Sequence, residues 1–215
     1  MTENQFRLIN ESDRGPLLAM AKRAFVSDPL IRWLYREDER YEQYFERFFY
    51  AYGGDCFKHG SGLTYQDGRG GVVFWYPMEE TCDYDELWTT LRETSSSPYQ
   101  EDVVEVFKEF ARLHPPERHL YITFVVRDPL SNRSAGPVFR ALLKNCDDQR
   151  LLCCGEGTSP IHRRYYARVG GEVLGEIQRG TSEKYYTMIR VPKLLDSPSD
   201  VEQLAGHARD KEQPV

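Results

Sequence analysis

The chain of 215 residues is short of several things, and each shortage narrows what it does. Its five cysteines, Cys56, Cys82, Cys146, Cys153 and Cys154, form an odd count with no disulfide framework. That usage fits a reducing compartment, so a cytoplasmic location is expected. No Cys-x-x-Cys or His-x-x-x-His spacing occurs, which argues against a structural metal. There is no run of eighteen apolar residues and no apolar N-terminal signal. A soluble, non-secreted protein away from the membrane is expected. Positive charge is not in excess: 28 Lys and Arg against 34 Asp and Glu give a net charge of -6. Nonspecific nucleic-acid binding is therefore not expected. No internal repeat and no long linker divide the chain, and 40% hydrophobic content suffices for one sizeable core.

What is present concentrates between His119 and Glu176. HLYITFVV is rich in β-branched and aromatic residues and predicts a strand. The loop DPLSNRSAGP follows, then VFRALLKNC, whose Val138, Phe139, Leu142, Leu143 and Cys146 recur on one side of a helix. A loop whose backbone N–H groups open onto a helix N-terminus is an anion site, so the centre of the chain suits a phosphate-bearing ligand. A second strand, through Cys153 and Cys154, and a helix carrying Tyr165 and Tyr166 complete the block. The two adjacent cysteines read as small core filler.

Around this block, Phe6–Ile9 predicts a first strand, and Glu11-Ser12-Asp13 predicts the cap of a helix through Leu17, Met20 and Ala24. Ser27-Asp28-Pro29 breaks that helix before a stretch with Trp33 and Leu34. Residues 41–52 predict an aromatic helix with Tyr44, Phe45, Phe48 and Phe49 buried. Leu63–Gln66 and Gly71–Tyr76 predict a hairpin across Asp67-Gly68. Residues 84–113 predict amphipathic helices interrupted at Ser95–Pro98. Gly175–Gln178 and Tyr185–Val191 predict a closing strand pair. The polar segment beyond Lys193, residues 194–215, is expected to be disordered. Alternating strands and helices followed by a strand pair give an α/β fold with a mixed sheet.

Several of these segments resemble the GCN5-related N-acetyltransferases, the GNAT superfamily. The signature Arg/Gln-x-x-Gly-x-Gly/Ala is matched by Arg133-Ser134-Ala135-Gly136-Pro137-Val138 at its Arg and first Gly. His119-Leu120-Tyr121-Ile122, Asp128-Pro129, Gly155-Glu156-Gly157-Thr158, Ser159-Pro160, Tyr166 and Gly170-Gly171 follow the landmark order of one microbial branch. AKRAFVSDPLIRWLY and GGVVFWYP are similar to its first helix and third strand, so the resemblance spans about residues 5–191. Two positions depart from the pattern. Pro137 has no N–H to donate, and Val138 stands where a small residue normally lets the pyrophosphate approach.

The resemblance implies a GNAT-like mixed, mostly antiparallel sheet, flanked by helices and splayed between strands four and five, with residues 1–193 as one domain. It implies acetyl-CoA or another acyl-CoA as co-substrate. The pantetheine arm would lie along Val125 and Val126, and the pyrophosphate at Arg133, Ser134, Ala135, Gly136 and Val138; Arg127 would meet a cofactor phosphate or an acidic substrate, or else be a solvated strand end. Acyl transfer to an amine requires removal of the amine proton and benefits from a proton for the leaving thiolate. By family position Glu156 is the candidate base, directly or through water, and Tyr166 the candidate acid. The same residues also admit bland readings, Glu156 as a structural carboxylate and Tyr166 as a packed ring. His119 reads as a structural hydrogen-bonding residue, and Arg163 and Arg164 as a solvated helix face. Trp75, Tyr76, Asp28 and Trp33 fall where the family builds its acceptor wall.

The sequence thus leads to an N-acyltransferase acting on a small-molecule amine, with no nucleic acid and no membrane as partner; a homodimer stays open. The altered loop keeps two alternatives in play. One is a GNAT-fold enzyme using a carrier-protein or aminoacyl-tRNA donor, against whose tRNA form the net acidity argues. The other is a non-catalytic acyl-CoA-binding protein.

Overall fold

The computed structural model describes residues 5–193; the segment 194–215 lies outside the described residues, as do residues 1–4. The elements run β1 (Phe6–Leu8), α1 (Arg14–Phe25), α2 (Pro29–Leu34), α3 (Asp38–Gly53), β2 (Gly62–Tyr65), β3 (Gly71–Trp75), α4 (Tyr84–Thr94) and α5 (Gln100–Leu113). Then come β4 (His119–Arg127), α6 (Gly136–Asp148), β5 (Leu152–Gly157), α7 (Pro160–Arg168), β6 (Glu172–Ile177) and β7 (Tyr185–Arg190). The seven strands form one sheet in the order β1-β2-β3-β4-β5-β7-β6. Among the described residues only the β4–β5 pair is parallel.

Local signals account for most boundaries. Asn10 accepts from the Ser12 N–H, and Asp13 accepts back from the Asn10 N–H, closing a capping box ahead of α1. The Asp28 carboxylate accepts from the Leu30 and Ile31 N–H groups and starts α2. Gly68 and Gly70 take positive φ in the β2–β3 turn, the conformation that glycine adopts without strain. In α3 the buried stripe is Tyr41, Phe45, Phe48, Phe49 and Tyr52, whereas Tyr44 is only half-buried. The expected face is therefore rotated, because spacings of four and three from Tyr41 continue the apolar row better than Tyr44 does.

One face of the sheet is covered by α1–α5, with an aromatic core in which Phe49 stacks on Phe124 at 4.6 Å between ring centroids. Burying a ring of this size contributes roughly 1.5–3 kcal/mol. The other face carries α6 and α7, which pack Val138, Phe139, Leu142, Tyr165 and Tyr166 against Leu120 and Ile122. The Arg190 guanidinium anchors this side. It donates to Asp147 at 2.8 Å and to the Val169 carbonyl at 2.8 Å, tying β7 to the ends of α6 and α7. Cys153 and Cys154 are both buried in β5, as core filler should be.

The feature that shapes the site is an irregularity in β4. Phe74 pairs with Phe124, but the next residue, Trp75, pairs with Ile122. Thr123 is thus an extra residue, a β-bulge. Because side chains alternate along a strand, one extra residue exchanges the faces. Leu120 and Ile122 pack with α6, while Phe124 and Val126 pack with the helices opposite. Pairing with β5 covers only His119–Ile122 against Leu152–Gly155. Beyond it the two strands diverge, and β4 from Thr123 onward has no strand on its β5 side.

The loop leading into α6 rests directly on β3. A Cβ at Gly71 would come within 2.9 Å of the Ala135 Cα and 3.0 Å of the Val126 carbonyl oxygen, both backbone atoms with little room to move. Gly71→Ala is expected to cost about 1–3 kcal/mol through this overpacking. Thermal unfolding of that variant should show a fall of several degrees, and an unchanged melting temperature would refute the contact.

Candidate active site

The fork between β4 and β5 holds a buried carboxylate. The Glu156 side chain is 4% exposed and is met by donors from three elements. Tyr52, in the last turn of α3, donates to Oε2 at 2.7 Å. Tyr121 of β4 lies 2.9 Å from the same oxygen and 2.5 Å from the Tyr52 hydroxyl, so its proton is shared between them. His114, just beyond α5, places Nε2 3.1 Å from Oε1. Each element has a local reason to deliver its group. Tyr52 continues the α3 stripe and stacks on Phe48, with ring planes 9° apart. Tyr121 faces the helical layer because it precedes the bulge. The His114 ring packs against Tyr121 at 4.3 Å.

Burial, then the charge of Glu156, pushes the Tyr52 and Tyr121 phenols well above their ordinary range. They stay protonated and act as donors to the carboxylate. His119 is separate: its Nδ1 pairs with the Glu117 carbonyl at 2.8 Å, and burial lowers its pKa. That is the structural role expected of it.

Tyr166 lies on the opposite side of the fork. A Cβ at Gly155 would come within 3.5 Å of its hydroxyl, which puts that hydroxyl at the last paired residues of β5 and β4. It has no hydrogen-bond partner among the described residues. Burial and then the Glu156 charge raise its pKa, so it is a phenol at neutral pH. Tyr165 points elsewhere, with its hydroxyl beside Gly136 at the start of α6. Glu156, Tyr165, Tyr166, Val125, Phe25 and Asp28 line a cavity of about 120 Å³ in the fork. The donors to Glu156 line a second cavity of about 360 Å³, walled by Tyr76, Tyr84, Phe107, Phe110, Met78 and Leu87 with Glu80 and Cys82 as polar groups. Glu156 thus stands between a slot through the sheet and an aromatic chamber beside it.

The remaining expected residues divide. Val125 reaches the fork cavity. Val126 is buried in the aromatic core, so only its backbone is available to a ligand. Arg127 is exposed at the strand end. Val138 is likewise buried, so only its backbone, in the first turn of α6, is available to a ligand. The Gly136 N–H is already taken by Ser134 Oγ at 3.1 Å, and Ala135 is buried. Arg133 makes two bonds of 2.8 Å to Asp67 and lies 5.1 Å from the Tyr65 ring centroid. A phosphate there has to compete with a carboxylate. Tyr76 does belong to the chamber, but Trp75 opens on the α6 side, Trp33 is buried against Tyr185, and Asp28 bonds Thr158 at 2.6 Å.

His114, Tyr52 and Arg140 stand in the sequence without a role, and Tyr121 only as one letter of the β4 landmark. His114, Tyr52 and Tyr121 carry no motif that marks them as partners of a carboxylate, and they meet only in the fold. Arg140 is exposed on α6, with Nη1 3.4 Å from where a Gly136 Cβ would lie, and it has no ion pair among the described residues. A basic residue one turn into a helix that follows a glycine loop was a usable signal. Among the described residues no group of acidic, His and Cys side chains is placed to hold a metal, and no helix is long and apolar enough to cross a membrane.

No family model and no curated protein sequence matches the chain. Solved structures do. Arylalkylamine N-acetyltransferase 2 from Aedes aegypti is similar with TM-score 0.61 at 13% identity, over 89% of this chain and 100% of that one. The polyamine N-acetyltransferase of Drosophila melanogaster, which forms N-acetylagmatine, is similar with TM-score 0.59 at 14% identity, over 86% and 98%. The C-terminal condensation domain of Ebony, solved with β-alanyl-dopamine, is similar with TM-score 0.60 at 9% identity, over 89% and 100%. At such identities the likeness is one of fold. The fold is GNAT-like, an α/β sheet of seven strands with its parallel pair at β4–β5.

The buried phenols give the site a pH signature. For a group whose folded pKa is raised, stability is fully present below the unfolded value and is lost as pH rises above it. Unfolded tyrosines ionise near pH 10, whereas Tyr52, Tyr121 and Tyr166 resist in the folded chain. Melting temperature should therefore fall progressively from about pH 10 upward, and less steeply in Tyr121→Phe. An identical alkaline slope in that variant would count against the buried network.

Proposed function

We propose that the chain is an acyl-CoA-dependent N-acyltransferase whose residues 1–193 act as one domain on a small-molecule amine. The observation that carries this reading is the placement of Glu156: a buried, triply hydrogen-bonded carboxylate across the fork from the unpartnered hydroxyl of Tyr166. In this reading the pantetheine arm lies along the unpaired edge of Thr123–Arg127 and brings the thioester into the fork. The amine arrives from the aromatic chamber. The Glu156 network takes up the amine proton, and Tyr166 protonates the departing thiolate. Tyr166 has a raised pKa, but a thiolate in the same dry cavity is made more basic by the same desolvation, so the transfer stays matched. Arg133 and Arg140 supply positive charge for the pyrophosphate, alongside the α6 N-terminus.

A carrier-protein donor is the second reading, and a specific observation favours it. Pro137 offers no N–H, the Gly136 N–H is occupied by Ser134, and Arg133 is held by Asp67. In this second reading the nucleotide grip is weakened, while the edge of Thr123–Arg127 stays open to a pantetheine arm. The two donors differ in one measurable quantity, the ratio of kcat/KM for acetyl-CoA to that for acetyl-pantetheine.

Thiol release with a panel of amines tests the main reading. Turnover with acetyl-CoA is expected, with acetyl-pantetheine poorer by about tenfold or more, since charge-assisted phosphate contacts contribute roughly 1.5–3 kcal/mol each. Arg133→Ala should weaken CoA binding about tenfold, and Asp67→Asn should strengthen it. Equal use of both donors points to a carrier protein. CoA binding without turnover on any amine leaves a binding protein. Tyr166→Phe should lower turnover by roughly tenfold to a hundredfold with acyl-CoA affinity nearly unchanged, and unchanged turnover would remove the acid role.

A further inference from the structure

We propose that His114 is the atom-level acceptor of the amine proton, with Glu156 as the residue that positions it. The inference rests on the acyl-transfer reading of the site and assigns the proton within it.

Glu156 Oε2 accepts from Tyr52 at 2.7 Å and from Tyr121 at 2.9 Å, and Oε1 faces His114 Nε2 at 3.1 Å. Both oxygens are thus already engaged by groups of the protein, Oε2 by two of them. An ionised carboxylate only accepts hydrogen bonds, so the proton in the His114 contact sits on Nε2. That fixes the tautomer: the lone pair of the neutral ring is on Nδ1. Nδ1 has no hydrogen-bond partner among the described residues, and the ring lines the aromatic chamber of about 360 Å³. The free lone pair thus belongs to the imidazole, whose ring lines the chamber through which the amine enters in this reading.

The groups facing this imidazole are Glu156 from β5, Tyr52 from α3, and Tyr121 and His119 from β4. Across the chamber stand Tyr76, Glu80, Cys82 and Tyr84, with Glu80 held by His59 at 2.6 Å. Glu156 is the only one of them in hydrogen-bond contact with His114. It would stabilise the imidazolium as it forms, since its charge opposes the charge being created.

The step balances. The amine enters neutral and attacks the thioester carbonyl carbon, forming the C–N bond. The excess proton on nitrogen passes through a bridging water to His114 Nδ1, since His114 lines the chamber and not the fork cavity. The C–S bond breaks, and the thiolate takes its proton from Tyr166. His114 then returns one proton to water, and Tyr166 recovers one from water. The products are the amide and the free thiol.

The test compares His114→Gln, His114→Ala and Glu156→Gln in steady-state kinetics across pH, with acetyl-CoA and the best amine found. His114→Gln should lower kcat/KM roughly 10²–10⁴-fold and remove the acidic limb of the profile, while the acetyl-CoA Kd stays within about twofold. Added imidazole should restore part of the activity of His114→Ala, which a packing role would not allow. Glu156→Gln should lower kcat/KM but keep an acidic limb, because the proton acceptor itself is still present. If His114→Gln keeps the wild-type limb and rate while Glu156→Gln loses both, Glu156 is the direct base and the inference falls. If folded His114→Ala is inactive and imidazole does not rescue it, the inference falls as well. A wild-type chain that transfers no acyl group to any amine overturns the acyl-transfer reading itself.

Discussion

Parallel pairing between β4 and β5 ends at Ile122 and Gly155, one residue before the Thr123 bulge and one residue before Glu156. The rest of the site follows from that stop. A strand edge left without a partner keeps backbone donors and acceptors that must be satisfied by something else. Here the edge opens into a slot through the sheet, whose walls come from α1, β4, β5 and α7. The bulge also exchanges the faces of β4. Tyr121 is sent to the helical side before it, and Phe124 takes that side after it. Without the extra residue, Tyr121 and Phe124 could not both point toward α3.

Around the stop, the molecule accepts an electrostatic cost. Burying an isolated carboxylate is unfavourable by several kcal/mol unless it is paired or hydrogen-bonded. Glu156 is compensated by two phenols and an imidazole drawn from three elements far apart in sequence. The aromatic layer makes this compensation rigid. Tyr52 is held by Phe48 and Phe107, and His114 by Tyr121. A purely structural network would not need to face a cavity on either side. This one faces the fork through Glu156 and the chamber through its three donors.

Much of this architecture was legible along the chain. The His119–Glu176 block announced itself through alternation, a glycine loop and helical spacing, and the β2–β3 hairpin through Asp67-Gly68. Glu156 and Tyr166 were reached by their place in the landmark order, not by local chemistry. His114 was not reached, because it ends an amphipathic helix with no motif around it and gains meaning only 42 residues away, at Glu156. Tyr52 was absorbed into an aromatic helix face, since a stripe of rings gives no sign that one of them donates to a carboxylate. The loop was legible as an anion site, yet the Arg133–Asp67 pair and the Ser134–Gly136 bond depend on three-dimensional closure. They oppose the local reading.

The central claim is that the fork between β4 and β5 receives an acyl-pantetheine arm. Hydrogen–deuterium exchange with and without acetyl-CoA tests it directly, since pantetheine pairing along an open strand edge protects backbone amides there. Added protection is expected in Thr123–Arg127 and at the start of α6, with lesser change in β1 and β2. Protection confined to the larger hollow of about 510 Å³ between Phe6–Leu8, Trp75 and α6, with Thr123–Arg127 unaltered, would contradict it.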